Sequence, residues 1–62
     1  MKYNELHRLL RKNGCNETDK ELFGHPAWYS PKTGKYFATS HHGTAEVKPG
    51  TLRKILKDAG LK

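Results

Sequence analysis

Cysteine is almost absent from this 62-residue chain: Cys15 stands alone, which excludes a disulfide framework and a four-cysteine zinc site. An intracellular, reducing setting is the expectation. Long apolar runs are missing too. None approaches the ~20 residues that a membrane span needs, and the opening residues show neither the apolar centre nor the cleavage pattern of a signal peptide. A soluble, cytoplasmic protein without a membrane partner is expected. Acidic residues are scarce, six Asp or Glu against twelve Lys or Arg, for a net charge of +6. Excess cations attract polyphosphates, so nucleic acid is the first partner to consider, although lysines that serve only solubility give the same count. Also lacking are the GxSxG elbow, the phosphate-loop glycine pattern and the HExxH helix, which leaves acyl transfer, nucleotide-dependent chemistry and zinc hydrolysis unsupported.

What is present reads as one small domain over 1–62. A chain of this size buries about 60% of the surface its unfolded form exposes. Its core contributes roughly 3–5 kcal/mol, so a bound partner would add measurably to its stability. Tyr3, Leu6, Leu9 and Leu10 recur at helical spacing, which predicts an amphipathic helix over 3–13. Gly14 ends it, and Cys15 behind it is read as a core residue packed on Leu10. Leu52, Ile55, Leu56 and Ala59 predict a second helix over 49–59, opened by Pro49 and closed by Gly60, with Thr51 helping to cap it. Between them, Trp28-Tyr29 and Tyr36-Phe37 flank Ser30-Pro31-Lys32-Thr33-Gly34-Lys35. This is a hairpin with Pro31 at the second turn position and Gly34 supplying a positive φ. Residues 15–23, rich in poor strand formers, are expected to give a short edge strand followed by a polar turn. The order helix, three strands, helix puts both apolar helix stripes on one face of an antiparallel sheet and leaves the other face open. Trp28 and Tyr29 point to opposite faces, and the sequence leaves open which of them faces the helices. Tyr29 shares a side with His25 in a regular strand.

Four histidines invite a metal reading, but their spacings match no usual zinc pattern: His7 on the polar side of the first helix, His25 eighteen residues on, and His41-His42 adjacent. Glu17, Asp19 and Glu21 read as a solvated acidic run. Imidazole plus cations remains, and that pair suits RNA, whose own 2′-hydroxyl can attack the adjacent phosphate. Such cleavage needs a group that titrates near neutrality and fixed positive charge. His25, between Gly24 and Pro26, has little side-chain bulk before it. An exposed surface histidine is the plainer explanation of the same residue. A second candidate is the start of the last helix, where Lys48 and Arg53 flank free N–H groups. An ordinary helix start explains it as well.

Gly24-His25, Trp28-Tyr29-Ser30-Pro31, Thr33-Gly34-Lys35, His42-Gly43, Glu46-Val47 and the run from Lys48 to Leu61 together resemble the HicA family of toxins, across essentially the whole chain. The resemblance implies an α+β fold like that of a double-stranded-RNA-binding domain, α-β-β-β-α, with a three-stranded antiparallel sheet and both helices on one face. It implies a type II toxin-antitoxin toxin: a metal-independent RNA endonuclease, or mRNA interferase, held inactive by a HicB-type antitoxin and needing no cofactor. His25 falls at the family's catalytic histidine, as general acid, general base or both. His42 matches a family histidine after the third strand, either as a second site residue or as one that orients the hairpin. Lys32, Lys35, Lys48, Arg53, Lys54 and Lys57 are available to hold the RNA backbone. The alternatives are a non-catalytic RNA-binding module on the same fold and an inactive relative that mainly binds a protein partner.

Overall fold

The computed structural model describes residues 1–61. Its elements are α1 (Tyr3–Lys12), β1 (Asn16–Leu22), β2 (His25–Ser30), β3 (Lys35–Ala38) and α2 (Pro49–Ala59), and the three strands form one antiparallel sheet in the order β1-β2-β3. The α+β order expected from the sequence is the one observed.

Both helices end on the same backbone device. Gly14 (φ 89°) and Gly60 (φ 77°) take the left-handed conformation. The N–H one residue further on then turns back to the helix, from Cys15 to the Leu10 carbonyl and from Leu61 to the Leu56 carbonyl, at 2.9 Å each. The helices bury Leu6 and Leu10 from α1 and Ile55 and Ala59 from α2 in one cluster with Cys15, Trp28, Phe37 and Val47. The two helices therefore cover one face of the sheet, and Cys15 is a core residue as its place behind Gly14 suggested.

The β2–β3 hairpin pairs Ser30 with Lys35, Tyr29 with Tyr36 and Trp28 with Phe37. Gly34 (φ 70°) donates its N–H to the Ser30 carbonyl at 2.7 Å across the four-residue loop. Trp28 is 1% exposed, whereas the Tyr29 and Tyr36 rings meet at 4.9 Å on the opposite face. Trp28 is thus the core residue of the pair and Tyr29 the outward one.

The segment after α1 departs from expectation. Its polar residues form a seven-residue strand, and the turn consists of Phe23 and Gly24, both at positive φ (54° and 77°). Two positive-φ residues between paired Leu22 and His25 make a type I′ hairpin, the turn whose twist matches the flanking strands. Asn16, Glu17, Asp19 and Lys20 are tolerated because β1 lies at the sheet edge, where side chains reach water. The ladder is irregular between Glu17 and Glu21, and there Thr18 bridges it, its hydroxyl donating to the Ala27 carbonyl at 2.8 Å.

α2 is tied to the β2–β3 loop by its last turn. The buried Ser30 hydroxyl donates to the Ala59 carbonyl at 2.8 Å, and the Thr33 hydroxyl to the Asp58 carbonyl at 2.6 Å. Its first turn therefore lies at the other end of the sheet, where β2 begins and β3 ends. Among the described residues no helix is long and apolar enough to cross a membrane.

A Cβ at Gly60 would come within 2.8 Å of the Thr33 methyl, while one at Gly34 meets nothing within 4 Å. Gly34→Ala is expected to lose about 1–2 kcal/mol from its left-handed backbone alone. Gly60→Ala is expected to lose more, since the hairpin loop must also give way. Chemical denaturation of the two variants should rank them in that order.

Candidate functional site

His25 is the first residue of β2 and follows the Phe23-Gly24 turn directly, a position that leaves its side chain exposed. It lines a groove of about 250 Å³ with Tyr3, Ala38, Thr39, Ser40 and Thr51. Four elements meet here for topological reasons. Antiparallel pairing sets the end of β3 beside the start of β2, and the clasp of α2 onto the distant loop aims its first turn, with Thr51, at the same place. Tyr3 opens α1.

The two helix starts differ electrostatically. The first N–H groups of α1 are already satisfied, Tyr3 donating to the Ala45 carbonyl at 3.1 Å and Asn4 to the Gly43 carbonyl at 2.9 Å, and Glu5 lies in its first turn. The start of α2 has no acidic residue in its first turn and no side-chain cap. Lys48 is its N-cap residue, so Thr51 lies inside the first turn and does not cap it. Its leading N–H groups are the orphan donors of a helix start, and the helix dipole adds positive potential there.

Behind the groove stands a second histidine. His7 was expected on the polar side of α1, but it is half-buried, its ring stacked on Trp28 at 4.9 Å and its Nε2 sharing a 2.8 Å hydrogen bond with the Thr39 hydroxyl. Position 7 lies one turn beyond Tyr3 and beside Leu6 and Leu10, on the flank of the apolar stripe, and Trp28 is large enough to reach it. Burial first, and then the nearby Arg11 guanidinium, push the His7 pKa below its ordinary value, with Glu17 acting the other way. Thr39, so held, also donates its N–H to the Pro26 carbonyl at 3.2 Å, which fixes the residue next to His25.

The remaining site residues read from the sequence are spread over the surface. The His42 ring is exposed and lies against His41 at 4.6 Å, and its backbone N–H, not its imidazole, meets the groove by donating to the Ser40 hydroxyl at 3.1 Å. Lys48 is the N-cap residue of α2, and Arg53 lies in the first half of that helix, where it lines a separate groove with Pro49, Leu52 and Leu56. Lys54 ion-pairs with Asp58 at 2.8 Å. Lys32 and Lys35 flank the far hairpin loop, and Lys57 lies in the last turn of α2 at that same end. None of the six cations lines the His25 groove itself, and the structure does not gather them around it. Among the described residues no cluster of three His, Cys, Asp or Glu side chains is arranged to hold a metal ion. Thr39 and Ser40 were not legible as groove residues. Both follow a strand of only four residues, and their only signal was their polarity after Ala38.

Fold and groove define a small α+β protein that presents an exposed imidazole beside an uncompensated helix start. A family model described as "HicA toxin of bacterial toxin-antitoxin" matches residues 3–61, and the chain belongs to that family of toxins from bacterial toxin-antitoxin systems. No curated protein and no solved structure matches it.

The lowered His7 pKa carries a pH dependence of stability. Below the ordinary value of 6.5 the unfolded chain takes up a proton that the folded chain resists, so stability is full above that pH and declines as pH falls. Thermal melts between pH 7.5 and 5.5 should show Tm falling with pH, and His7→Gln should flatten the slope. Parallel curves for the two proteins would show that His7 is not the group responsible.

Proposed function

We propose that this toxin is a metal-independent RNA endonuclease, an mRNA interferase with His25 as its general acid and base, formed by a single domain over 1–62. The observation that supports it most is the position of His25, exposed at the mouth of a groove whose opposite wall is the start of α2. The neutral imidazole takes the proton of the ribose 2′-hydroxyl as that oxygen attacks the adjacent phosphorus. The resulting imidazolium returns a proton to the departing 5′-oxygen. One P–O bond forms and one breaks, leaving a 2′,3′-cyclic phosphate and a free 5′-hydroxyl, and the proton count closes on a single histidine. Because RNA carries its own nucleophile, the protein needs to supply only proton transfer and charge stabilisation.

The second service falls to the N–H groups at the start of α2, with Lys48 and Arg53 beside them, which suit the non-bridging phosphate oxygens. Lys32, Lys35, Lys54 and Lys57 hold more distant phosphates of the same strand. Ser40 and its partner, the His42 backbone, shape the groove, and His42 serves as a positioning residue through that contact. An RNA-binding module without chemistry would use the same cations, so cleavage and not binding separates the two readings.

Purified protein is expected to cleave RNA in the presence of EDTA and to leave cyclic-phosphate ends. His25→Ala should lower the rate by about 10²–10⁴-fold with RNA affinity and Tm nearly unchanged, because the side chain is exposed. Equal cleavage by the variant would remove His25 from the mechanism. Charge removal at Lys48 and Arg53 together should weaken binding and make log K fall less steeply with log salt, by roughly two fewer released counterions.

The antitoxin partner is proposed to be a HicB-type protein with an acidic surface that covers this groove. Binding only the folded toxin, it stabilises it by mass action, and at a hundredfold excess over Kd the gain is about 2.7 kcal/mol. A melting curve that does not move at saturating antitoxin would count against it.

A further inference from the structure

At position 7 an apolar side chain would pack on Trp28 without the cost of taking an imidazole out of water. His7 stands there instead, 4.9 Å from the Trp28 ring, and the Arg11 guanidinium lies 5.1 Å from the centre of the same ring. What the imidazole adds over a hydrocarbon is one hydrogen bond, 2.8 Å from Nε2 to the Thr39 hydroxyl. Thr39 is 3% exposed, and among the described residues its hydroxyl has no other partner. Without His7 that hydroxyl would be left unpaired away from water. Thr39 and Tyr3 both line the His25 groove, and the Tyr3 ring lies tilted against His7 at 6.0 Å between ring centres. His7 thus touches two walls of a groove that it does not itself line.

We propose, resting on the ribonuclease reading, that His7 is a positioning residue for the reaction at His25 and acts on the groove through Thr39. Position matters because a displacement of about 1 Å at a reacting centre can cost about 10²-fold in rate. The state of the His7 ring matters as well. A neutral ring can give or take the bond at Nε2, whereas an imidazolium can only give it, and the Thr39 hydroxyl must then turn its own hydrogen elsewhere. The charged groups near the ring are Arg11 from α1, which opposes a charge on it, and Glu17 from β1, which favours one; Tyr3 from α1 and Trp28 from β2 contribute rings. Burial also opposes the charge, so the neutral ring is the form that fits, and protonation of His7 disturbs the groove independently of His25.

The test measures RNA cleavage by the full chain as kcat per folded molecule, at a temperature well below the Tm of each variant. His7→Leu keeps an apolar side chain against Trp28 and cannot bond Thr39; it is expected to lower kcat about ten- to a hundredfold with KM nearly unchanged. Thr39→Val tests the same contact from the other side, and does not depend on the fold accepting leucine at position 7. It should lose as much, and the double variant no more than either single one, as expected of two residues that act as a unit. His7→Gln has an amide that can meet the hydroxyl but does not titrate. It should recover most of the rate lost in His7→Leu, and its kcat should fall less steeply than the parent's as pH drops from 6.5 to 5.5. A ring with only a structural role would lower Tm and leave kcat per folded molecule as it was. Equal kcat in the parent and His7→Leu therefore overturns the positioning role, and so does an unaltered kcat in Thr39→Val or a double variant whose losses simply multiply. If the parent chain neither binds nor cleaves RNA, the ribonuclease reading fails and the role of His7 with it; RNA cleavage at a rate blind to His7 sinks that role alone.

Discussion

The buried hydrogen bond from the Ser30 hydroxyl to the Ala59 carbonyl sets the direction of α2, and with it the make-up of the groove. Ala59 offers one of the last carbonyls of the helix, a group without a partner in its own helix, and Ser30 is a polar side chain with no access to water. Each satisfies the other, so neither carries the cost of an unpaired buried polar group. The Thr33 hydroxyl repeats the arrangement one residue earlier in the helix, and Gly60 permits the hairpin loop to approach because it lacks a side chain. With the C-terminal end of α2 fastened there, eleven residues of helix, at 1.5 Å each, run the length of the sheet. The opposite, positive end then has only one place to lie, beside the first residue of β2.

Two imidazoles within this small molecule have been given opposite tasks by their surroundings. His7 lies against Trp28, beside the Arg11 guanidinium, and burial lowers its pKa and so favours the neutral ring; it hydrogen-bonds Thr39 and, through Thr39, is linked to the backbone at Pro26. His25 follows a tight turn directly, and it is exposed to solvent. The chain of contacts from the half-buried ring through Thr39 to Pro26 ends at the residue next to the exposed one.

The helices, their glycine endings and the Pro31–Gly34 loop were legible because each rests on local chemistry: apolar spacing, a left-handed residue, a ring-locked φ. β1 was harder to read. Its residues favour solvent, and it becomes a strand only because β2 offers a partner and the edge leaves Asp19 and Glu21 in water. The Phe23-Gly24 turn was hidden by a phenylalanine where its conformation calls for asparagine or glycine. His7 was misplaced because helical periodicity assigns a face by angle alone, and a flank position is buried or exposed according to the size of what stands opposite, here Trp28. His25 was legible through its neighbours and through the resemblance to HicA toxins. The groove around it was not, since Tyr3, Thr39 and Thr51 come from three separate parts of the chain.

A three-stranded sheet has two open margins, and each is a template on which another chain can extend it. Here one margin is fringed with Glu17, Asp19 and Glu21 and broken by an irregular ladder, while the other is a strand of only four residues. Both are poor seeds for edge-to-edge association. Neither margin therefore invites a second copy of the toxin to lengthen the sheet, and its strands are left to their own partners.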